Sequence, residues 1–155
     1  MNSDIRFKFS EFFGTICYVG HIPFAPGTFG SLVALIAWYY LKPFLSDPLF
    51  LLITGAIFFF GIVVTDILIT VWDDEDPKQV VIDEWVGMWI SLYLVPHSIK
   101  WGLIAFLLFR IFDIFKPGPV QAMDDMHDAT GVMMDDVVAG LLACLLTQSL
   151  LYFKF

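Results

Sequence analysis

Four short strings in the sequence place carboxylates, cations and helix-breaking residues at spacings that suit phosphate chemistry. Asp83-Glu84, with Gly87 one turn on, and Asp135-Asp136, between Gly131 and Gly140, are adjacent carboxylates at the starts of apolar stretches. Acid in a first helical turn commonly complements the helix dipole. Two such pairs entering apolar helices are costly unless something partners them, and a divalent cation is the simplest partner. Arg110, Asp113 and Lys116 recur at intervals of three, which puts them on one helical face. Their ordinary reading is an intrahelical ion pair with a snorkelling lysine; their functional reading is a phosphate clamp whose cations Asp113 holds in place. The fourth string, Ile22 to Ser31, crowds Pro23, Pro26, Gly27 and Gly30 into a helix start. There the N–H groups around Thr28 offer an anion site, or Thr28 or Ser31 simply caps the helix. Asp66, about 9 Å before the end of its own helix at 1.5 Å per residue, is a candidate partner for Arg110.

The elements that must position these residues follow from composition. The 155 residues are 59% hydrophobic and 15% charged, with a net charge of −8, and the mean hydropathy is +0.80. A water-soluble domain is nearer half apolar and a quarter charged, so the composition predicts a membrane protein. It excludes intrinsic disorder, and an acidic chain with scattered cations excludes a nucleic-acid-binding face. Five apolar stretches stand out, near 28–45, 48–71, 80–95, 98–115 and 132–153. A span needs about 20 residues, so the second and fifth are long enough, the first and fourth are borderline and the third is short. Residues 8–19, with Phe9, Phe12, Phe13 and Ile16 at helical spacing, predict a sixth helix, either lying at the membrane surface or capping the bundle. The expectation is therefore an all-α fold: one compact membrane bundle of five to six helices, with residues 1–155 forming a single domain.

If the five stretches cross in alternation, the N-terminus, the 72–79 loop and the 116–131 loop gather at one end. That end then receives every carboxylate except Asp47 of the sixteen in the chain. The acidity becomes an address and not a bulk property. Arg6, Lys8, Lys78, Arg110 and Lys116 fall at the same end, with Lys42, Lys100 and Lys154 at the other, which favours the acidic end as cytoplasmic. Mg²⁺ takes oxygen ligands and is commonly completed by a phosphate oxygen, so carboxylates beside cations suit it. Within the run Asp73-Asp74-Glu75-Asp76, Asp76 is the member to watch because Pro77 fixes the chain beside it.

Other chemistries find little support. Cys17 and Cys144 lack ligand or disulfide spacing and read as packing residues. Ser10, Glu11 and Gly14 interrupt any leader-like run after Arg6 and Lys8, so no cleaved signal is expected. His21, His97 and His127 belong to no visible triad or metal spacing, although His21 and His127 lie at the acidic end as candidate proton carriers. The competing class is a non-enzymatic membrane cation-binding or transport protein, which would want polar residues through the whole depth and at both ends.

The strings from Pro26 to Ser31, Asp83 to Ile90, Phe109 to Pro117 and Gly131 to Gly140 occur together and in order over about residues 20 to 140, and in this they resemble the phosphatidylglycerophosphatase A family. The resemblance implies a Mg²⁺-dependent phosphatase of the bacterial inner membrane that converts phosphatidylglycerophosphate to phosphatidylglycerol. It implies catalytic roles for Asp83, Glu84, Asp113 and Asp136, metal ligation by Asp83, Glu84, Asp135 and Asp136, and substrate binding by Thr28, Arg110 and Lys116. Both attack by water beside the metal and attack by a carboxylate are compatible with that set. One departure stands out: the family usually carries Gly-Gly shortly before the Gly131 segment, where this chain has Asp128-Ala129.

Overall fold

The computed structural model describes residues 3–153, so Lys154, expected at the end away from the carboxylates, lies outside the described residues. Among the described residues there are seven α-helices and no strand. They are α1 (Ser3–Gly14), α2 (Pro26–Leu41), α3 (Asp47–Trp72), α4 (Ile82–Ser91), α5 (Ile99–Phe115), α6 (Pro119–Asp124) and α7 (Ala129–Tyr152), with 3₁₀ turns at Val19–His21 and Lys42–Phe44. The all-α expectation is met with one helix more than the five to six foreseen. The addition is α6, two short turns that start on Pro119 inside what reads as a loop.

Helix ends follow their residues. Pro43 stops α2, Pro48 opens α3 at its first turn, and Leu94 in a left-handed conformation followed by Pro96 stops α4. α1 ends at Gly14, several residues before the expected 19, because Ile16, Cys17 and Tyr18 turn left-handed and Thr15 folds its hydroxyl back to the Glu11 carbonyl (2.7 Å). It docks on the second half of α3 through Phe7 against Trp72 and Phe9 and Phe13 against Phe60. α1 is therefore a cap on the bundle, and its phenylalanines stay partly exposed.

α4 is the axis of the fold. Its ten residues reach only about 15 Å, half a bilayer core, and the turn at 92–97 carries the chain on to His97, whose ring bonds the Tyr39 carbonyl (2.7 Å). Val86, Met88, Trp89 and Leu92 are fully or almost fully buried among α2, α3, α5 and α7, and the Trp89 indole N–H donates to the Ala34 carbonyl (3.0 Å). The crossing with α7 is backbone on backbone: a Cβ on Gly140 would sit 2.3 Å from the Gly87 carbonyl oxygen, and one on Gly87 would sit 2.6 Å from that of Asp136. Small residues allow this approach, and it holds the first half of α4 against the acidic part of α7.

Outward, the bundle is apolar. Leu52 and Phe59 on α3, Leu107 on α5 and Leu145 on α7 are each more than half exposed. α3 and α7 are long and apolar enough to cross a membrane.

Candidate active site

The first turn of α4, the last turn of α5 and the second turn of α7 converge on one cavity of about 230 Å³, floored by Ala25, Pro26 and Gly27 at the start of α2 and rimmed by Asp76, Pro77 and Lys78. Asp83, Glu84, Arg110, Asp113, Lys116, Asp135 and Asp136 all line it. Carboxylate oxygens of Asp83, Glu84 and Asp136 lie within 4.8 Å of one another. Asp83 and Asp136 are buried and Glu84 nearly so. Asp83 Oδ1 accepts from the Glu84 N–H (2.9 Å), and Asp135 Oδ1 from the Asp136 N–H (2.8 Å). Two oxygens of the cluster, Glu84 Oε2 and Asp136 Oδ1, have no hydrogen-bond partner among the described residues. Buried carboxylate oxygens without partners are costly, and three carboxylates converging, two of them with such an oxygen, form a donor set suited to a hard divalent cation.

The cations are held from different sides. Arg110 reaches Asp113 (2.5 Å), Glu84 (3.9 Å) and the Ser31 hydroxyl (3.3 Å), while its buried Nε has no acceptor among the described residues. Ser31 in turn donates to the Gly27 carbonyl (2.8 Å), which ties the guanidinium to the start of α2. Lys116 does not share Asp113 as its spacing predicts. It caps α5 in a left-handed conformation and pairs with Asp124 of α6 and with Asp135 (2.9 Å). Burial alone would lower the Lys116 ammonium, but the bonds to Asp124 and Asp135 outweigh it and hold its pKa above the ordinary lysine value. At the rim, shielding of the Asp76 carboxyl raises its pKa; Lys116 opposes that shift, and Asp124, Asp74 and Asp113 add to it.

Several expectations change here. Thr28 does not line the cavity. α2 is capped by Ala25 in a left-handed conformation with Pro26 at its first position, and the Thr28 N–H donates to the Ala25 carbonyl (3.0 Å). Since proline has no N–H, Gly27 supplies the open donor of that turn. Neither Thr28 nor Ser31 is the cap. A Cβ on Gly27 would lie 1.9 Å from Glu84 Oε1, so glycine is what allows α2 to sit on the carboxylates. Asp66 is exposed and is not among the ion-pair partners of Arg110. α7 begins three residues earlier than expected, capped by Asp128, whose carboxylate accepts from the Gly131 N–H (2.7 Å). The departure from Gly-Gly thus gives this chain a helix cap, and Asp135 and Asp136 lie nearly two turns inside the helix. His127 is exposed, 3.8 Å from Glu75, and His21 pairs with Glu11 (3.2 Å); neither lines the cavity.

Asp124 carries a part of the site with no counterpart in the sequence pattern, and Ser31 and Gly27 have roles there other than the capping and turn roles their string suggests. Gly27 and Ser31 stood inside a quoted string, but the long-range contact with Arg110 has no local signature. Asp124 has none either, because the residues between it and Lys116 read as a loop.

An all-helical bundle that brings a buried carboxylate cluster and two anchored cations to one small cavity has the parts of a phosphate-ester hydrolase. The family model described as phosphatidylglycerophosphatase A matches residues 12–151. The chain therefore belongs to the phosphatidylglycerophosphatase A family and is a phosphoric monoester hydrolase. A phosphatidylglycerophosphatase A of Escherichia coli is 35% identical over 136 residues, covering 86% of this chain and 76% of the relative. One of Haemophilus influenzae is 36% identical over 130 residues, covering 83% and 80%. A Bacteroides thetaiotaomicron protein with the provisional name phosphatidylinositol-3-phosphatase is 45% identical over 137 residues, covering 82% and 84%. No solved structure gives a significant match.

Proposed function

We propose that the protein removes the terminal phosphate of phosphatidylglycerophosphate at the surface of the bacterial inner membrane, with Mg²⁺ as cofactor and the acidic end facing the cytoplasm. The observation that carries this reading is the triad Asp83, Glu84 and Asp136, with two unpartnered oxygens, beside an arginine whose Nε is also unpartnered. Family membership and the names of the Escherichia coli and Haemophilus influenzae relatives support the substrate. The apolar exterior and the two span-length helices support a membrane setting.

Asp83, Glu84 and Asp136 would hold the ion, with Asp135 beside them. When bound, Mg²⁺ neutralises charge on the non-bridging oxygens of the phosphate. Arg110 offers its free Nε–H to the same group, and Asp113 and Ser31 fix the guanidinium so that little ordering is left to the moment of reaction. Lys116, steadied by Asp124 and Asp135, adds positive charge from the α5 end. Gly27 lines the cavity, and its N–H, open in the first turn of α2, would be a further donor. Carboxylate oxygens that are not holding the ion are the groups placed to take a proton from attacking water, and they are also the ones able to attack phosphorus directly.

The identity to the Bacteroides thetaiotaomicron relative favours a second substrate, phosphatidylinositol 3-phosphate. Phosphate release by the purified chain from each lipid tests both. The expected result is release from phosphatidylglycerophosphate that stops with a chelator and returns with Mg²⁺. Release that persists undiminished in chelator would remove the metal from this reading, and no release from that lipid would remove the substrate.

A further inference from the structure

A second cavity of about 230 Å³ adjoins the first, lined by Gly20 to Pro23, Pro26, Lys78 and Gln79. Pro26 and Lys78 line both, so the two meet at the start of α2. Its floor is tightly set: a Cβ on Gly20 would lie 1.8 Å from the Gln79 carbonyl oxygen, so the 3₁₀ turn at 19–21 closes directly on the 78–79 segment. Its cation differs from those of the active site. Arg110 is committed to Asp113 and Glu84, and Lys116 to Asp124 and Asp135. Lys78 is exposed and makes no ion pair among the described residues. His21, the other basic group there, is taken by Glu11 (3.2 Å).

An uncommitted ammonium at the junction of two cavities, in an otherwise strongly acidic end, suits a second anionic group on the ligand held in the first. On the reading that the substrate is a phospholipid with a terminal monoester, that second group is the phosphodiester joining the head group to the diacylglycerol. We propose that the second cavity is a phosphodiester subsite with Lys78 as its cation, and that it selects lipids carrying both phosphates over lipids carrying the monoester alone. Phosphatidylglycerophosphate and phosphatidylinositol 3-phosphate share that chemistry; phosphatidate, whose monoester sits directly on diacylglycerol, lacks it.

The test is kcat/KM of the full chain on these three lipids, with matched acyl chains in mixed micelles, for the parent, Lys78→Gln and Lys78→Arg. Because Lys78 is exposed, both variants should fold, and elution volume in detergent checks this. The parent should prefer a two-phosphate lipid to phosphatidate. Lys78→Gln should shrink that preference about tenfold, as loss of one charge-assisted contact does, mainly through KM, and Lys78→Arg should restore most of it. Which of the two-phosphate lipids loses most identifies the head group the subsite fits. A preference unchanged in Lys78→Gln, or an equal loss on phosphatidate, overturns the subsite while leaving the phosphatase reading intact. A parent that hydrolyses phosphatidate but neither two-phosphate lipid overturns the substrate reading and the subsite together.

Discussion

The two ends of the bundle are built from similar parts and differ in whether those parts are satisfied. At the end away from the acidic cavity, Lys42, Pro43, Asp47 and the 94–97 turn line a cavity of about 350 Å³, larger than the acidic one. Asp47 is paired with Lys42 (2.6 Å) and half-buried, and His97 bonds the Tyr39 carbonyl. Each of the three charged or basic groups lining that cavity has a partner among the described residues, so the cavity has nothing to ask of a ligand. At the acidic end, the carboxylates outnumber the cations, Asp83 and Asp136 are buried, and Glu84 Oε2, Asp136 Oδ1 and Arg110 Nε have no partner. Cavity size does not separate the two ends; unsatisfied buried charge does.

The sharpest way to break that comparison is to neutralise one carboxylate at each end. Asp136→Asn should lower kcat about a thousandfold, the scale of losing a central electrostatic group. It should also raise the unfolding temperature of the chelator-treated protein, because a buried like charge has been removed. Asp47→Asn should leave phosphate release within about twofold, as is usual away from a site. Comparable losses in both variants would mean that partner satisfaction does not mark the functional end.

Gly140→Ala comes next, since it acts on the crossing that assembles the site without touching its charge. A methyl group 2.3 Å from the Gly87 carbonyl oxygen must push α4 and α7 apart. Overpacking of this kind costs about 1–3 kcal/mol. The expected result is a lower unfolding midpoint together with a roughly tenfold loss of activity, since small misplacements of catalytic groups are amplified in rate. Gly55→Ala, inside α3 with nothing within 4 Å of the added carbon, is the matched control: it should leave activity unchanged and, by the higher helix propensity of alanine, should not lower the midpoint.

The reach of the sequence follows the same division. Alternation of apolar stretches, with Pro and Gly at their breaks, was enough to place Asp83, Glu84, Arg110, Asp113, Lys116, Asp135 and Asp136 at one end, and they line one cavity. Legible there were periodicity and order, which are local properties. Pairings were not: Arg110 took Asp113, Glu84 and Ser31 and not Asp66, and Lys116 took Asp124 and Asp135 in place of Asp113. Depth along a helix says nothing about which way a side chain faces, and Asp66 faces outward. A left-handed residue at the end of α5 redirects Lys116 in a way that spacing by threes cannot register. Thr28 failed for a related reason: Pro26 moved the helix start upstream, and the open N–H with it.

The smallest expected effect is one of sign, and it asks whether the contrast reaches the rim of the site. Asp76 has a folded-state pKa raised above its ordinary value of 3.8, through shielding at the cavity mouth and neighbouring acids, with Lys116 partly offsetting it. A raised value means the folded chain holds that proton more tightly than the unfolded one, so its contribution to stability is present below pH 3.8 and is lost as pH rises through the folded value. At neutral pH the ionised group is a small liability, and Asp76→Asn should raise the unfolding midpoint. Asp47 is the opposite case: its partly buried pair with Lys42 is worth about 1 kcal/mol or less, so Asp47→Asn should lower the midpoint. Both shifts should stay within about 2–4 °C in a chain of this size, and the Asp76→Asn gain should vanish below about pH 4, where both states of the parent carry the proton. Two midpoints moving in the same direction at pH 7 would show that crowding of like charge ends at the buried triad and does not extend to Asp76.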